Sequence, residues 1–295
     1  MTARGITVVR AHLAKHPAPA DIASRRAQYD RAERVFKTPA EVTVEPVRAP
    51  QAAAEWLVPP GARTDAAVLY LPGGGYVIGS PRSHRHVAAA IAAAAGISAL
   101  LPDYRLAPEH PFPAAVEDAT AAYGWLMARG IAPGRIVVAG DSAGGGLTVA
   151  TLLALRDRGQ PLPAAGVCIS PWVDLTCSAA SYTTRAEADP MVRRDGILEM
   201  ARAYLAGADA KTPLASPLHA DLRGLPPLLI QVGSDEVLLD DATQLAGQAK
   251  AAGVDATLEV WQDMIHVWHW FLPMLDEAER AVAGIGAFAR SRLGL

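Results

Sequence analysis

The sequence predicts an α/β fold, a mostly parallel sheet covered by helices on both faces, and three observations predict it. From Val42 onward, short apolar β-branched runs alternate with runs of helical periodicity. One strand-to-helix junction carries the glycine-flanked serine Gly140-Asp141-Ser142-Ala143-Gly144. A serine, an acid and a histidine then follow predicted strands in the order Ser142, Asp235, His266. In open α/β sheets ligands bind at the carboxyl ends of the strands, so these loops share one edge of the sheet.

The elements follow in order. Ala20 to Lys37 is charged and helical in pattern, with Ile22, Tyr29, Ala32 and Phe36 as apolar contacts and prolines on both flanks. It reads as an appended helical segment, outside the alternating core. Ala66 to Leu71 is the first core strand, followed by a glycine loop and a helix near His84 to Ala95. Ile97 to Leu101 is a strand, and a proline-rich loop leads to a helix from Ala114 to Arg129. Arg135 to Ala139 is a buried strand, and Leu147 to Arg158 a helix stopped by Gly159. Gly166 to Ser170 is a strand, and Pro171 to Arg223 is irregular. Leu228 to Val232, a helix over Asp240 to Ala252, Thr257 to Trp261 and a helix from Leu275 to Leu293 close the chain. Continuous apolar strands of this kind belong to sheets covered on both faces. There is no repeat, and the alanine-rich stretches are explained by helix propensity.

Composition narrows the function. The chain has 295 residues, 51% hydrophobic and 19% charged, which describes a globular enzyme-sized protein. A net charge of −3 gives no basic excess for nucleic acid. Cys168 and Cys177 are too few for a disulfide scaffold and read as reduced thiols. No basic-then-apolar leader is present, and no apolar run approaches about 20 residues. The expectation is a cytoplasmic protein without stable membrane association, its oligomeric state, a homodimer included, left open.

The chemistry lies in four loops. Ser142 sits where a sharp turn would project its hydroxyl, with the Ala143 amide at the positive end of the following helix. A serine hydroxyl needs a base, and His266, in Met264-Ile265-His266, provides one near neutral pH. An acid that fixes the imidazole tautomer is expected at Asp235, in Val232-Gly233-Ser234-Asp235-Glu236. The loop Pro72-Gly73-Gly74-Gly75-Tyr76 follows the first core strand and offers main-chain amides. It lacks the register and the lysine of a nucleotide-binding loop.

Less reactive roles suit the neighbours. Asp240 and Asp241 open a predicted helix, where acids usually cap. His269, three residues past His266, is read as a packing residue beside Trp268 and Trp270. His84, His86 and His110 are read as structural, Arg105 and Glu109 as an ion pair within a long loop, and Asp141 as a loop-bracing acceptor.

Together these blocks resemble the hormone-sensitive-lipase-like family of α/β-hydrolases, which includes bacterial short-chain carboxylesterases. The carriers are Gly73-Gly74-Gly75-Tyr76, the run from Asp103 to Ala115, Gly140 to Gly145, Asp189-Pro190-Met191, Asp235 and Met264-Ile265-His266, over roughly residues 40 to 295. The resemblance implies an α/β-hydrolase core at 46–180 and 221–295 and a helical cap from 1–45 and 181–220. It implies Ser142 as nucleophile, His266 as base and Asp235 as orienting acid, with Gly73, Gly74, Gly75 and Ala143 as oxyanion hole. It implies no metal or organic cofactor and a small-molecule ester substrate of short to medium chain length. The chain departs from the family at Pro72, where a histidine is usual. Proline restricts the backbone and can brace the loop by another route. An amidase or peptidase could use the same triad, and plant gibberellin receptors share the family without the catalytic histidine. Retention of His266 argues against a receptor of that kind.

Overall fold

The structure, a computed structural model, describes residues 5–295. Its sheet is built from Thr43–Arg48 (β1), Ala53–Val58 (β2), Arg63–Leu71 (β3), Ile97–Pro102 (β4), Ile136–Asp141 (β5), Ala165–Ile169 (β6), Leu228–Gly233 (β7) and Ala256–Trp261 (β8). The strand order is β1-β2-β4-β3-β5-β6-β7-β8. β2 runs antiparallel to both β1 and β4, and every other pairing is parallel. The chain thus adopts the α/β-hydrolase fold. Strands β4 to β7 are buried along their whole length, so their runs show no alternation. β1 lies at an edge, which is where Pro46, with no N–H for a ladder, can be accommodated.

The helices are Ile6–Lys15 (α1), Ile22–Asp30 (α2), Ala32–Val35 (α3), Pro81–Ala95 (α4), Ala114–Ala128 (α5), Ala143–Asp157 (α6), Ser181–Thr184 (α7), Arg194–Leu205 (α8), Leu239–Ala251 (α9) and Asp276–Leu293 (α10). α5, α6 and α9 cover one face of the sheet, while α4 and α10 cover the other. α4 starts earlier than its apolar spacing suggests because Ser80 and Ser83 form a reciprocal capping box ahead of Pro81. α6 begins at Ala143 instead of Leu147, since the small residues 143–146 let its first turn press against the sheet.

Two stretches differ from the sequence reading. The helix expected over Ala20 to Lys37 is broken at Arg31, so that Phe36 turns inward to stack on His86 at 5.1 Å between ring centres. α1 precedes it and tucks Val9 into the core, its first residues lying beyond the four that are outside the described chain. The stretch 171–223 is not wholly irregular: α8 buries Ile197, Ala201, Tyr204 and Leu205, a single helical stripe.

The expected Arg105–Glu109 ion pair does not form. Arg105 pairs with Asp118 at 2.7 Å and Glu117 at 3.0 Å. Glu109 instead accepts both terminal nitrogens of Arg26 at 2.8 Å. Arg26 also donates to the Val77 and Ala107 carbonyls, both at 2.8 Å, and so ties α2 to the two loops beneath it.

Candidate active site

Ser142 occupies the turn between β5 and α6 with φ 54° and ψ −120°, a conformation side chains rarely adopt. The turn closes only around glycine. A Cβ on Gly140 would strike the Gly144 carbonyl, and one on Gly144 would strike that of Leu71. The geometry is held from outside as well: the Ser142 amide donates to the Ile169 carbonyl at 2.8 Å, and its own carbonyl accepts from Trp172 at 2.9 Å. The strain is carried by the tightly packed strands on either side. The hydroxyl is thereby presented at the C-terminal edge of the sheet.

His266 follows β8 and is 5% exposed. Its Nδ1 lies 3.0 Å from Oε2 of Glu236, not beside Asp235. Glu236 is fully buried, and its Oε1 accepts from the Gly233 amide at 2.6 Å and the Ser170 hydroxyl at 2.7 Å. Ser170 in turn accepts from the Val267 amide at 3.1 Å, so one hydroxyl fixes both the acid and the backbone next to the histidine. Asp235 points away from this cluster. Its Oδ2 accepts from Arg10 of α1 at 2.6 Å, and Arg10 also donates to the Ala188 carbonyl at 2.7 Å. The expectation of Asp235 as the acid on His266 is therefore corrected to Glu236. The two are consecutive carboxylates after the same strand, and the turn that begins at Gly233 sends the second inward. Asp and Glu serve this position equally in the Ser…acid…His order, so nothing in the residue types ranks one over the other.

Burial works against charge on His266, yet the hydrogen bond and charge of Glu236 outweigh it and hold the imidazole above the ordinary histidine value. Burial also pushes the Glu236 carboxyl up, with the bonds from His266, Gly233 and Ser170 pulling the other way.

The glycine loop faces the same space. Gly74 has φ 120°, and a Cβ there would run into the Ile78 carbonyl. Among the described residues the amides of Gly74 and Gly75 have no acceptor. Gly73 differs: its amide donates to Oδ1 of Asp141 at 3.2 Å, which corrects its expected place in the oxyanion hole. Asp141 also accepts from Tyr70 at 2.8 Å and lies 3.4 Å from His84, a bracing position. Burial opposes its charge, but His84 and Tyr70 hold the carboxyl below the usual range. Tyr104 donates to the Pro72 carbonyl at 2.6 Å. With Pro72 in place of a histidine, the loop is braced by Tyr104, Asp141 and Arg26.

Ser142, His266, Gly74 and Gly75 line one cavity of about 230 Å³. Its outer wall comes from the N-terminal helices through Arg25 and Tyr29, and from α8 and the turn before it through Met191 and Met200. The Asp189 carboxylate pins that turn: Oδ1 accepts from the Met191 and Val192 amides at 2.8 and 2.9 Å, and Oδ2 from Val237, next to Glu236, at 3.0 Å. The remaining candidates lie elsewhere. His269 is buried against Gln231 at 2.7 Å, His86 contacts the Trp270 carbonyl at 2.9 Å, and His110 is exposed. Asp241 accepts from Val173 and Asp174, both at 3.0 Å, and Asp240 from Ser181 at 2.8 Å, so both hold the loop after β6. Among the described residues no group of three or more His, Cys, Asp and Glu could hold a metal ion.

Residues 68–270 match a family described by its alpha/beta hydrolase fold. The chain is 52% identical over 280 residues to an acetyl-hydrolase of Streptomyces hygroscopicus, covering 95% of this chain and 93% of that one. It superposes with a TM-score of 0.95 on the crystal structure of an esterase from the bacterial hormone-sensitive lipase family, at 51% identity and 98% of both chains. It superposes equally, at 0.95 and 50% identity over 98% of this chain and 99% of the other, on EstE5 soaked by p-nitrophenyl butyrate. On its sequence, its fold and the constellation at its sheet edge, the chain belongs to the hormone-sensitive-lipase-like family of α/β-hydrolases.

Proposed function

We propose that this carboxylic-ester hydrolase acts through Ser142, His266 and Glu236 on esters of short to medium chain length. The observation that carries the reading is the buried Glu236 paired with His266, whose ring lines the same small cavity as Ser142 on its strained turn. Ser142 Oγ attacks the ester carbonyl carbon while His266 Nε2 takes its proton, Glu236 holding the Nδ1 proton and stabilising the imidazolium. The oxyanion rests on the amides of Gly74, Gly75 and Ala143, each worth about 3 kcal/mol in the transition state. His266 then protonates the departing alcohol. Water, activated by the same imidazole, attacks the acyl-serine, and the acid leaves. Every proton is handled by His266, so the cycle requires no cofactor, and we place it in the cytoplasm. Among the described residues no helix is long and apolar enough to cross a membrane.

In this reading residues 1–45 and 181–220 form a cap over a core of 46–180 and 221–295. The first four of those residues lie outside the described chain. A cavity of about 230 Å³ suits a small acyl group. Each buried methylene adds about 0.8 kcal/mol while space lasts, so kcat/KM for neutral p-nitrophenyl esters should peak between acetate and hexanoate. The test is that series, extended to palmitate below the micellar threshold and to p-nitroanilides, with Ser142→Ala as control. Turnover surviving in Ser142→Ala would remove the nucleophile from this scheme. Faster turnover of the anilides would make the enzyme an amidase.

A further inference from the structure

Beside the catalytic cavity lies a second chamber, and its chemistry is different. It has a volume of about 440 Å³ and is walled mainly by α1, the broken helix pair α2 and α3, and Trp270 and Phe271. It shares Ala18, Gln28, Tyr29, Met191 and Trp270 with the lining of the catalytic cavity, so the two adjoin across that wall. Its apolar surface comes from side chains such as Leu13, Val35, Phe36 and Phe271. Among the described residues its polar groups are all basic or neutral: Arg31, Arg34, His12, His16 and Gln28 line it, and no carboxylate does.

The imbalance comes from the way α2 and α3 divide their charges. Glu33 faces the core side, where it is shared between Arg82 and Arg85. Asp30 accepts from Ser80 on that side, and Asp21 is used to cap α2 at the Ser24 amide. Arg31 and Arg34 are left on the chamber, exposed, and among the described residues neither guanidinium has a hydrogen bond or an ion pair. In a chain of net charge −3 this is a local excess of positive charge around an apolar hollow. A guanidinium fork matches a carboxylate in two parallel hydrogen bonds, and apolar walls remove an aliphatic chain from water.

We infer that this chamber binds an aliphatic chain ending in a carboxylate, with the chain against Leu13, Val35, Phe36 and Phe271 and the carboxylate on Arg31 and Arg34. The inference rests on the esterase reading only in supplying a source for such a ligand. The chain and carboxylate are either the far end of an ester whose carbonyl lies at Ser142, or a free medium-chain fatty acid bound alongside.

The experiment compares the wild-type protein with Arg31→Gln/Arg34→Gln, whose substituted positions are exposed and lie outside the catalytic cavity. Calorimetric titration with octanoate, and with octanol as the uncharged counterpart, reads the site without any turnover. Octanoate should bind wild type at least tenfold more tightly than octanol. The double variant should lose that difference, and added salt should shrink it. The p-nitrophenyl hemiester of octanedioic acid is then compared with p-nitrophenyl octanoate. A preference for the hemiester that disappears in the double variant identifies the ligand as the substrate's own tail. Arg-dependent octanoate binding without that preference identifies a separate fatty acid. Octanol binding as well as octanoate, or an octanoate affinity unchanged in the double variant, overturns the inference. Turnover of p-nitrophenyl acetate should stay within twofold in the double variant. Its absence from wild type would refute the esterase reading while leaving the titration to decide this one.

Discussion

Replacing Glu236 by glutamine is the sharpest probe of the site, because the hydrogen bonds around that side chain dictate the result. In the native arrangement Oε2 accepts from His266 Nδ1, while Oε1 accepts from the Gly233 amide and the Ser170 hydroxyl. A glutamine must place its NH2 on one side or the other. Turned toward Gly233, the NH2 meets a fixed N–H donor in a fully buried site, leaving two donors unsatisfied at about 1–3 kcal/mol each. Turned toward His266, it donates to Nδ1 and forces the ring proton onto Nε2, so the imidazole can no longer accept the Ser142 proton. The second orientation is the cheaper, and it is the inactive one. The expected loss is about 10³- to 10⁴-fold in kcat, or about 4–5.5 kcal/mol, with KM little changed. Asp235→Asn removes only a partly exposed pair with Arg10, worth about 0.2–1 kcal/mol, and should stay within about fivefold of wild type. The assay is steady-state hydrolysis of p-nitrophenyl butyrate by both variants, with circular dichroism to confirm folding. A folded Asp235→Asn that is dead, beside an active Glu236→Gln, would refute the reasoning.

Ser170→Ala removes one hydrogen bond to the Glu236 carboxylate and one acceptor for Val267. At about 1.5–3 kcal/mol for a bond to a charged group, kcat should fall about 10- to 100-fold, and an unchanged kcat would show that Glu236 needs no such support. The acid limb of kcat/KM should lie above the ordinary histidine value, because Glu236 raises His266 and the base works deprotonated; a limb below that value would contradict the pairing. Burial lowers His86 to about 4 and His269 to about 3, so the unfolded chain takes up protons that these rings refuse. These two rings should therefore draw stability down as pH drops from about 6.5, against the buried Asp241 carboxyl, which is raised to about 7 and works in the opposite sense over the same range. Replacing both histidines by glutamine should remove their share of the pH slope, and a slope unchanged in that variant would contradict the argument. Deleting residues 1–40 should lower turnover more than it lowers the melting temperature, since Arg25 and Tyr29 line the cavity; unchanged kinetics toward all esters would exclude a cap role for this segment.

The core was legible in the sequence because it obeys local rules. Val137-Val138-Ala139 and Leu229-Ile230 are runs that suit a buried parallel sheet, and Gly140 and Gly144 mark a turn where side chains cannot fit. The expectations at Ser142 and His266 follow from that register. The failures at the site concern which way a group in a loop points. Asp235 and Glu236 differ by one position, and the turn after Gly233 decides between them through contacts from Met264 and Ser170, far away in sequence. Gly73 shares its residue type with Gly74 and Gly75, yet the distant Asp141 takes its amide. Arg105 and Glu109 are four apart but find Asp118 and Arg26 instead. α8 was hidden because its stripe is short and sits between turns rich in charge.

The Asp189 carboxylate bears on how this scaffold can be re-engineered. It bonds Met191 and Val192 on the segment over the cavity and Val237 on the loop that carries Glu236. A chimaera that imports a foreign segment from residue 189 onward must reproduce this three-way junction, or the loop bearing the acid loses one of its fixed points. A splice placed after Val192 keeps the junction native. The exchanged segment must still carry an aromatic ring at Tyr204, which stacks on Tyr76 of the glycine loop at 3.8 Å between ring centres.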